Sequence, residues 1–315
     1  MTTAARRRAV AVEARAKINL GLAVGPRRAD GFHEMVTFFQ SVSLADTLLV
    51  RRRARGFTLR VRAENVALRG GSARTRAVHV PSGADNLVLR AARLLAQRAG
   101  LRGGAEFRLV KRIPARAGLG GGSADAAAAL RGLAALYGIR LAAKEWAELA
   151  AMLGSDVPFA LRGGTALGRG RGERLTPLRL RRSFRALIAL PTWSIATPAA
   201  FAAIDRRRNN LTAWGPYLRS AQVLGRERLT AERVMQFGNT FESVLGRRRR
   251  EFEALRRRLE DAGAIAVRMT GSGSAVVGLL PNAREAPAAV RRFEGQEALF
   301  LVHSRGRGLK LITSS

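Results

Sequence analysis

Three groups of residues have the types and spacing that chemistry asks for. The first is the run Pro114-Ala115-Arg116-Ala117-Gly118-Leu119-Gly120-Gly121-Gly122-Ser123-Ala124-Asp125, followed by an Ala-rich stretch. Glycine tolerates positive φ and lets a ligand come close to the backbone. A helix starting behind such a loop aims its unbonded N–H groups and the positive end of its dipole into it. That is the environment a polyphosphate needs. Two familiar phosphate loops do not fit. A Walker A loop carries Lys and then Ser or Thr after its last Gly, whereas Ser123 follows Gly122 directly. The dinucleotide fingerprint needs a third Gly where Ser123 or Asp125 stands. A plain turn before a helix is the simpler alternative, but tandem glycines beside a Ser exceed what a turn requires.

The second group is Arg268-Met269-Thr270-Gly271-Ser272-Gly273-Ser274-Ala275, between two strand-like runs. By itself it reads as a hairpin turn, and it gains weight only if it faces the first loop. The third is dispersed: Lys17 in a strand-like run, and Asp156 in Gly154-Ser155-Asp156-Val157-Pro158. The chain has only seven Asp, which makes this one a candidate base. A neighbouring ammonium would keep its carboxylate ionised and ready to accept a proton. By itself, an Asp before Val-Pro reads as a turn or cap residue.

The elements that must position these groups follow from periodicity. Val10 to Val24 reads as a strand, with further strands in 38–50, 57–62 and 105–112. Helices are predicted over 87–97, with Asp85 or Asn86 as cap, and over 123–136 and 144–153. Residues 69–83 read as a loop, 155–158 as a turn, and 163–172 as a loop or hairpin marking a junction between halves. The second half then runs strand 184–190, helix 198–206, a polar loop, helices 231–245 and 249–262, strands 264–269 and 275–280, helix 283–293 and strand 298–303. Mixed elements without strict alternation predict an α+β chain in two domains, 1–172 and 173–315.

Composition sets the bounds. The net charge is +33, and 52 of the 56 basic residues are Arg. Such a charge invites a nucleic-acid reading. The arginines, however, come in short runs (51–53, 206–208, 247–250, 256–258) without an RNP-like aromatic motif, a zinc finger or a single basic arm. No specific nucleic-acid partner is expected. The absence of Cys excludes disulfides, Cys-ligated metal and thiolate catalysis. Three scattered His argue against a dedicated transition-metal site. No apolar run follows Arg6 to Arg8, and Pro191 and Pro198 interrupt the longest uncharged stretch, so neither a signal peptide nor a membrane span is expected. A cytoplasmic protein, monomeric or homodimeric, is the expectation.

Taken together, the motifs resemble those of the GHMP kinases: Ala16-Lys17-Ile18-Asn19-Leu20, the Pro-x3-Gly-Leu-Gly-Gly-Gly-Ser loop from Pro114 to Ser123, and Thr270-Gly-Ser-Gly. Within that superfamily, Arg28-Ala-Asp30-Gly31-Phe32-His33-Glu34 resembles the marker of the 4-diphosphocytidyl-2-C-methyl-D-erythritol kinases. So do Asp85-Asn86-Leu87, Lys111-Arg112-Ile113-Pro114, Gly154 to Phe159, Gly163 to Ala166 and Asn239 to Glu242. The resemblance runs from about Ala14 to about Phe300. It implies an N-terminal phosphate-loop domain and a ferredoxin-like C-terminal domain, with the active site in the cleft between them. It also implies transfer of the ATP γ-phosphoryl group, with Mg²⁺, to the 2-hydroxyl of the methylerythritol portion, a step of the non-mevalonate route to isoprenoids. Asp156 would be the base, and Lys17 would stabilise charge and hold Asp156 ionised. Asn19 would orient substrate. Pro114 to Ala124 (Gly118, Leu119, Gly120, Gly121, Gly122 and Ser123 among them) would cradle the phosphates, Ser123 near the metal. Asn86 and Lys111 would lie at the adenine pocket, and Phe32 and His33 would hold the cytosine. Thr197 would sit beside the substrate, and Gly271 to Ser274 would support the phosphate loop. Position 32 is Phe where the family often has Tyr, which keeps the stacking face and loses the hydroxyl.

Overall fold

The computed structural model describes residues 8–68, 83–207, 218, 219, 221, 222 and 229–312. Most of the loop expected over 69–83, and most of the polar loop after 206, lie outside the described residues. The chain is α+β, as its sequence predicts. Two long strands form the spine: β1 (Ala9–Arg27) and β2 (His33–Arg53), antiparallel over almost their whole length. β2 starts at His33, so Phe32 is the last residue of the connection, its carbonyl accepting from the Arg28 N–H (2.6 Å). The next strands are β3 (Phe57–Ala63), β4 (Gly104–Lys111), β5 (Thr165–Gly170) and β6 (Arg174–Leu178). β4 and β5 both add to β2, β3 lies parallel on β4, and β6 closes a hairpin with β5. A C-terminal strand, β11 (Leu309–Ile312), returns to pair with β1, which the sequence reading did not foresee.

Helices α1 (Leu87–Arg98), α2 (Gly121–Tyr137), α3 (Ala143–Leu153) and α4 (Val157–Arg162) belong to this half. α2 carries five buried alanines among residues 124 to 129, because it lies in the core and not at the surface. Small side chains bring its axis close to the valines of β1 and β2 and remove the polar face of an ordinary surface helix. The turn expected at 155–158 is present at Ser155 and Asp156, and α4 takes over from Val157. Pro158 sits in its first turn, where a missing N–H costs nothing.

The second half contains β7 (Arg185–Leu190), α5 (Thr197–Arg206), α6 (Ala231–Met235), α7 (Arg249–Asp261), β8 (Ala266–Met269), β9 (Val276–Leu279), α8 (Ala286–Arg292) and β10 (Ala298–Arg305). Its strand order, β10-β7-β9-β8 with every pair antiparallel, is that of a βαββαβ ferredoxin-like unit. The single helix expected over 231–245 is broken. Asn239 takes an extended conformation, its side chain accepts from the Phe241 N–H, and a 3₁₀ turn (Thr240–Val244) follows. The two sheets join at one short seam, where β10 pairs with β2 at Ser304↔Val42 and Arg305↔Ser41. The core bridges this division. One cluster, including Val12, Phe38, Phe107 and Leu130 under α1 and α2, continues into the second half through Ile188, Val277 and Phe300, and another, including Leu187, Phe252 and Phe293, takes in Leu22 and Val24 of β1.

Candidate active site

The three chemistry-bearing groups of the sequence meet at the middle of β1. There the backbone N–H of Lys17 donates to the Leu119 carbonyl (3.0 Å), which fastens the glycine loop to the strand. Gly120 has φ +70°, and a Cβ there would come within 2.8 Å of Lys17 Cγ. Only glycine lets the loop lie this close over the lysine. The helix starts earlier than its sequence suggests. Gly120 is the N-cap and Gly121 the first residue of α2, and no side chain caps this end. The first intrahelical bond runs from the Ala124 N–H to the Gly120 carbonyl. The N–H groups of Gly121, Gly122 and Ser123 are therefore the unbonded donors of the first turn. Ser123 is half-buried, whereas Leu119 and Ala124 are buried beneath. Arg116 is exposed on this loop with φ +56°, a left-handed backbone that costs a non-glycine residue about 1 kcal/mol.

The second Gly/Ser loop does face the first. Ala275 N–H donates to the Ala117 carbonyl (3.1 Å), and a Cβ on Gly118, itself at φ +80°, would lie 2.3 Å from the Thr270 carbonyl oxygen. Thr270 also reaches β1: its Oγ1 accepts from the Asn19 N–H (2.8 Å) and donates to Asn19 Oδ1 (3.2 Å). Asn239 holds the far side of this loop, donating through Nδ2 to the carbonyls of Met269 (2.8 Å) and Gly271 (2.9 Å). Thr197, exposed at the start of α5, bonds Ser272 Oγ (2.9 Å).

Asp156 stands at the N-cap of α4, yet its side chain makes no cap bond. Its Oδ2 lies 3.3 Å from Lys17 Nζ. The lysine is buried and the carboxylate about one-third exposed, so the pair opens to solvent on the carboxylate side. Lys17 Nζ also donates to Asn19 Oδ1 (2.7 Å), and Asn19 Nδ2 donates to Thr37 Oγ1 (2.7 Å). The ammonium lies 5.5 Å from the Phe39 ring centre, and Phe39 stacks on Phe159 of α4. Aromatic packing therefore orients the lysine from one side and two polar groups orient it from the other.

Lys111 is placed differently from the expectation. It is buried, and its ammonium bonds Asp46 and Asp125 (2.7 Å to the latter). Asp46 also accepts from the Arg112 and Ile113 N–H groups. Burial pushes the ammonium down, but the two carboxylates outweigh it and hold Lys111 above its ordinary pKa. The carboxyl of Asp125 is pushed well up, first by burial and against the pull of Lys111. The resemblance puts Lys111 at the adenine pocket; its ammonium is instead committed to a buried ion triad beneath the start of α2, since ammonium and carboxylates leave water together only when they meet. Asn86 is the N-cap of α1, accepting from the Val88 N–H (2.8 Å).

Phe32 and His33 separate. Phe32 is half exposed, with the Arg171 guanidinium 4.7 Å from its ring centre. His33 is buried, stacks on Phe201 of α5 (5.0 Å) and bonds Asp205 Oδ1 through Nε2 (2.8 Å). Sequence reasoning missed Thr37, Asp46, Phe201, Asp205 and the holding role of Asn239. None of these has a local signal, because each acts across the fold. Among the described residues no group of three or more His, Asp or Glu could hold a metal ion on its own, and no helix is long and apolar enough to cross a membrane.

Known proteins share both the sequence and this arrangement. The family of GHMP kinases N terminal domains matches residues 86–164, and that of GHMP kinases C terminal domains matches 200–297. A 4-diphosphocytidyl-2-C-methyl-D-erythritol kinase of Pelotomaculum thermopropionicum is 40% identical over 289 residues, 90% of this chain and 94% of that protein. One from Nocardia farcinica is 39% identical over 91% of this chain and 90% of that protein. The crystal structure of a 4-(cytidine 5'-diphospho)-2C-methyl-D-erythritol kinase superposes with a TM-score of 0.72 at 34% identity, covering 94% of this chain and 99% of that one. A homoserine kinase from Cytophaga hutchinsonii reaches the same TM-score at 18% identity, a likeness of fold alone. The chain belongs to the GHMP kinases and, among them, to the family of 4-diphosphocytidyl-2-C-methyl-D-erythritol kinases.

Proposed function

We propose that this chain transfers the γ-phosphoryl group of ATP to the 2-hydroxyl of 4-diphosphocytidyl-2-C-methyl-D-erythritol, a step of non-mevalonate isoprenoid synthesis, in the cytoplasm. The observation that carries the chemistry is the 3.3 Å contact between Lys17 and Asp156 beside a helix start with unbonded N–H groups. Asp156 takes the proton of the hydroxyl as its oxygen bonds to the γ-phosphorus. The bond from that phosphorus to the bridging oxygen breaks, and ADP leaves. Lys17, 3.3 Å from Asp156, meets the negative charge on the transferring group, while the Gly118 to Ala124 segment cradles the phosphates. Phosphoryl transfer relies on such positioning and charge compensation and needs no covalent intermediate.

Magnesium travels with the phosphates of ATP and needs only one or two protein oxygens, which the half-buried Ser123 hydroxyl on the first turn of α2 fits. Asn19 and Thr197 are assigned to the acceptor. Phe32 and His33 are assigned to the cytosine, with Asp205 holding the imidazole. Asn86 is assigned to the adenine side of the cleft, and Lys111 to supporting the loop from below. We take the division between the halves within 179–184, after the β5–β6 hairpin, and not at 172. The test is incubation with ATP, Mg²⁺ and a panel of alcohols. The cytidyl substrate is expected to be phosphorylated at its 2-hydroxyl, with homoserine and mevalonate left unchanged. Phosphorylation of either of those, with the cytidyl compound ignored, would assign the chain a different acceptor.

A further inference from the structure

The net charge of +33 leaves most arginines without a role in the reaction. One group of them is gathered at a particular place. A cavity of about 530 Å³ lies at the seam between the two sheets and is lined by Arg162, Arg179, Arg182 and Arg305 together with Thr165 and Ser183. Among the described residues it is lined by no Asp or Glu, nor by any of the residues assigned to phosphoryl transfer. None of the four guanidiniums has an ion-pair partner among the described residues, although the chain's other arginines supply many of its surface ion pairs. All four arginines are exposed at the rim of this open concavity, and like charges gathered there repel one another until an anion answers them.

The scaffold of the cavity is well held. Gln40 donates to the Arg305 carbonyl (2.9 Å) and accepts from Thr165 Oγ1 (2.6 Å), and the Ser41 N–H donates to the Gly164 carbonyl (2.9 Å). The arginines come from different parts of the chain. Arg162 ends α4, Arg179 and Arg182 lie in the connection between the halves, and Arg305 ends β10 at the two-residue pairing that joins the sheets.

We propose that this cavity is a binding site for a small multivalent phosphate anion, separate from the phosphate loop, and that the bound anion ties the two halves together at their seam. Guanidinium groups suit phosphate because their paired N–H donors match its oxygens, and an anion of two or more charges answers several of them at once. A diphosphate, free or at the end of a small ester, has the size and charge for this space. Because the anion contacts both halves and the connection, binding favours the assembled molecule over the unfolded chain and raises its melting temperature.

The experiment uses the full chain with its phosphate loop saturated by a non-hydrolysable ATP analogue and Mg²⁺. Inorganic pyrophosphate and methyl diphosphate are titrated separately by calorimetry, with thermal unfolding followed in parallel. One further site is expected, with a rise in melting temperature for at least one of the two anions. The stronger of the two identifies a free ion or an ester as the preferred form. The double variant Arg179→Gln/Arg182→Gln is expected to bind about tenfold or more weakly, each arginine contributing a charge-assisted contact, with its kcat and the KM for ATP unchanged. A control, Arg284→Gln/Arg291→Gln, removes the same charge elsewhere and is expected to keep the site. The proposal is overturned if no binding remains once the loop is occupied, or if both double variants weaken it equally. It is also overturned if only duplex nucleic acid, and neither diphosphate, distinguishes the variant from the native chain.

Discussion

Asp156 shows how much a single carboxylate depends on its neighbours. Its sequence context, just before Val-Pro, suits a cap, and its backbone does stand at the start of α4. The side chain nevertheless turns to Lys17, 3.3 Å away. Replacing it with Asn keeps the volume and removes the proton acceptor. Asp156→Asn is expected to lower kcat by about 10²- to 10⁴-fold, the usual worth of a positioned acid or base, while ATP affinity by equilibrium titration changes little. Near-native turnover would remove Asp156 as the base. Lys111 offers a contrasting test, of stability. Its pKa is raised by Asp125 and Asp46 in spite of burial. A group raised on folding stabilises the native state below its unfolded pKa, about 10.4 for Lys, and that contribution is lost as pH climbs through the folded value. Lys111→Met leaves two buried carboxylates without their cation and is expected to cost about 3–5 kcal/mol in urea unfolding at pH 8. The gap from the native chain should narrow as pH climbs past the ordinary lysine pKa and through the raised folded value, and a gap that stays constant would mean that the ammonium charge contributes nothing to the triad.

At the scale of elements, the site is two loops clasped over one strand. The clasp needs backbone to meet backbone at Gly118, where a Cβ would lie 2.3 Å from the Thr270 carbonyl oxygen. Gly138 is a useful comparison. It closes α2 with φ +70°, and a Cβ there would meet nothing within 4 Å. Both Gly→Ala changes impose the left-handed strain of about 1 kcal/mol, but only Gly118→Ala also pushes the loops apart. Gly118→Ala is therefore expected to be the more destabilised in thermal unfolding and to lose ATP affinity. Gly138→Ala should retain that affinity, and equal ATP binding by the two variants would show that the clasp is irrelevant to the nucleotide. The elements also account for what the sequence made legible. Strand alternation marks β1, β3 and β4, and the Ala-rich run marks α2. The helix expected over 231–245 breaks because Asn239 bonds backbone on a neighbouring loop, a partner that periodicity along the chain does not contain.

At the scale of the whole molecule, the positive charge remains the largest feature with no part in the transfer chemistry. Both reactants of the proposed reaction are anionic, so a positive field speeds their capture, and kcat/KM should fall as salt is raised. The same field attracts nucleic acid without selecting a sequence. Fluorescence anisotropy with two unrelated DNA duplexes is expected to show equal binding at low salt and its loss near physiological ionic strength, following counterion release. Selective binding that survives there would give the arginines a partner of a different class.

The sequence by itself determined the chemistry available to this protein: a glycine loop before a helix, a second Gly/Ser loop, one lysine on a strand and one aspartate before a proline. Residue type and local spacing suffice for that, because backbone freedom, helix dipoles and side-chain charge are local properties. Tertiary structure decided which of these groups act together. Lys17 and Asp156 are 139 positions apart in the numbering, and Thr270 reaches Asn19 across 251. Lys111, which a motif places among the nucleotide contacts, is taken up by Asp46 and Asp125 because a buried ammonium must find its counter-charge wherever the fold brings one.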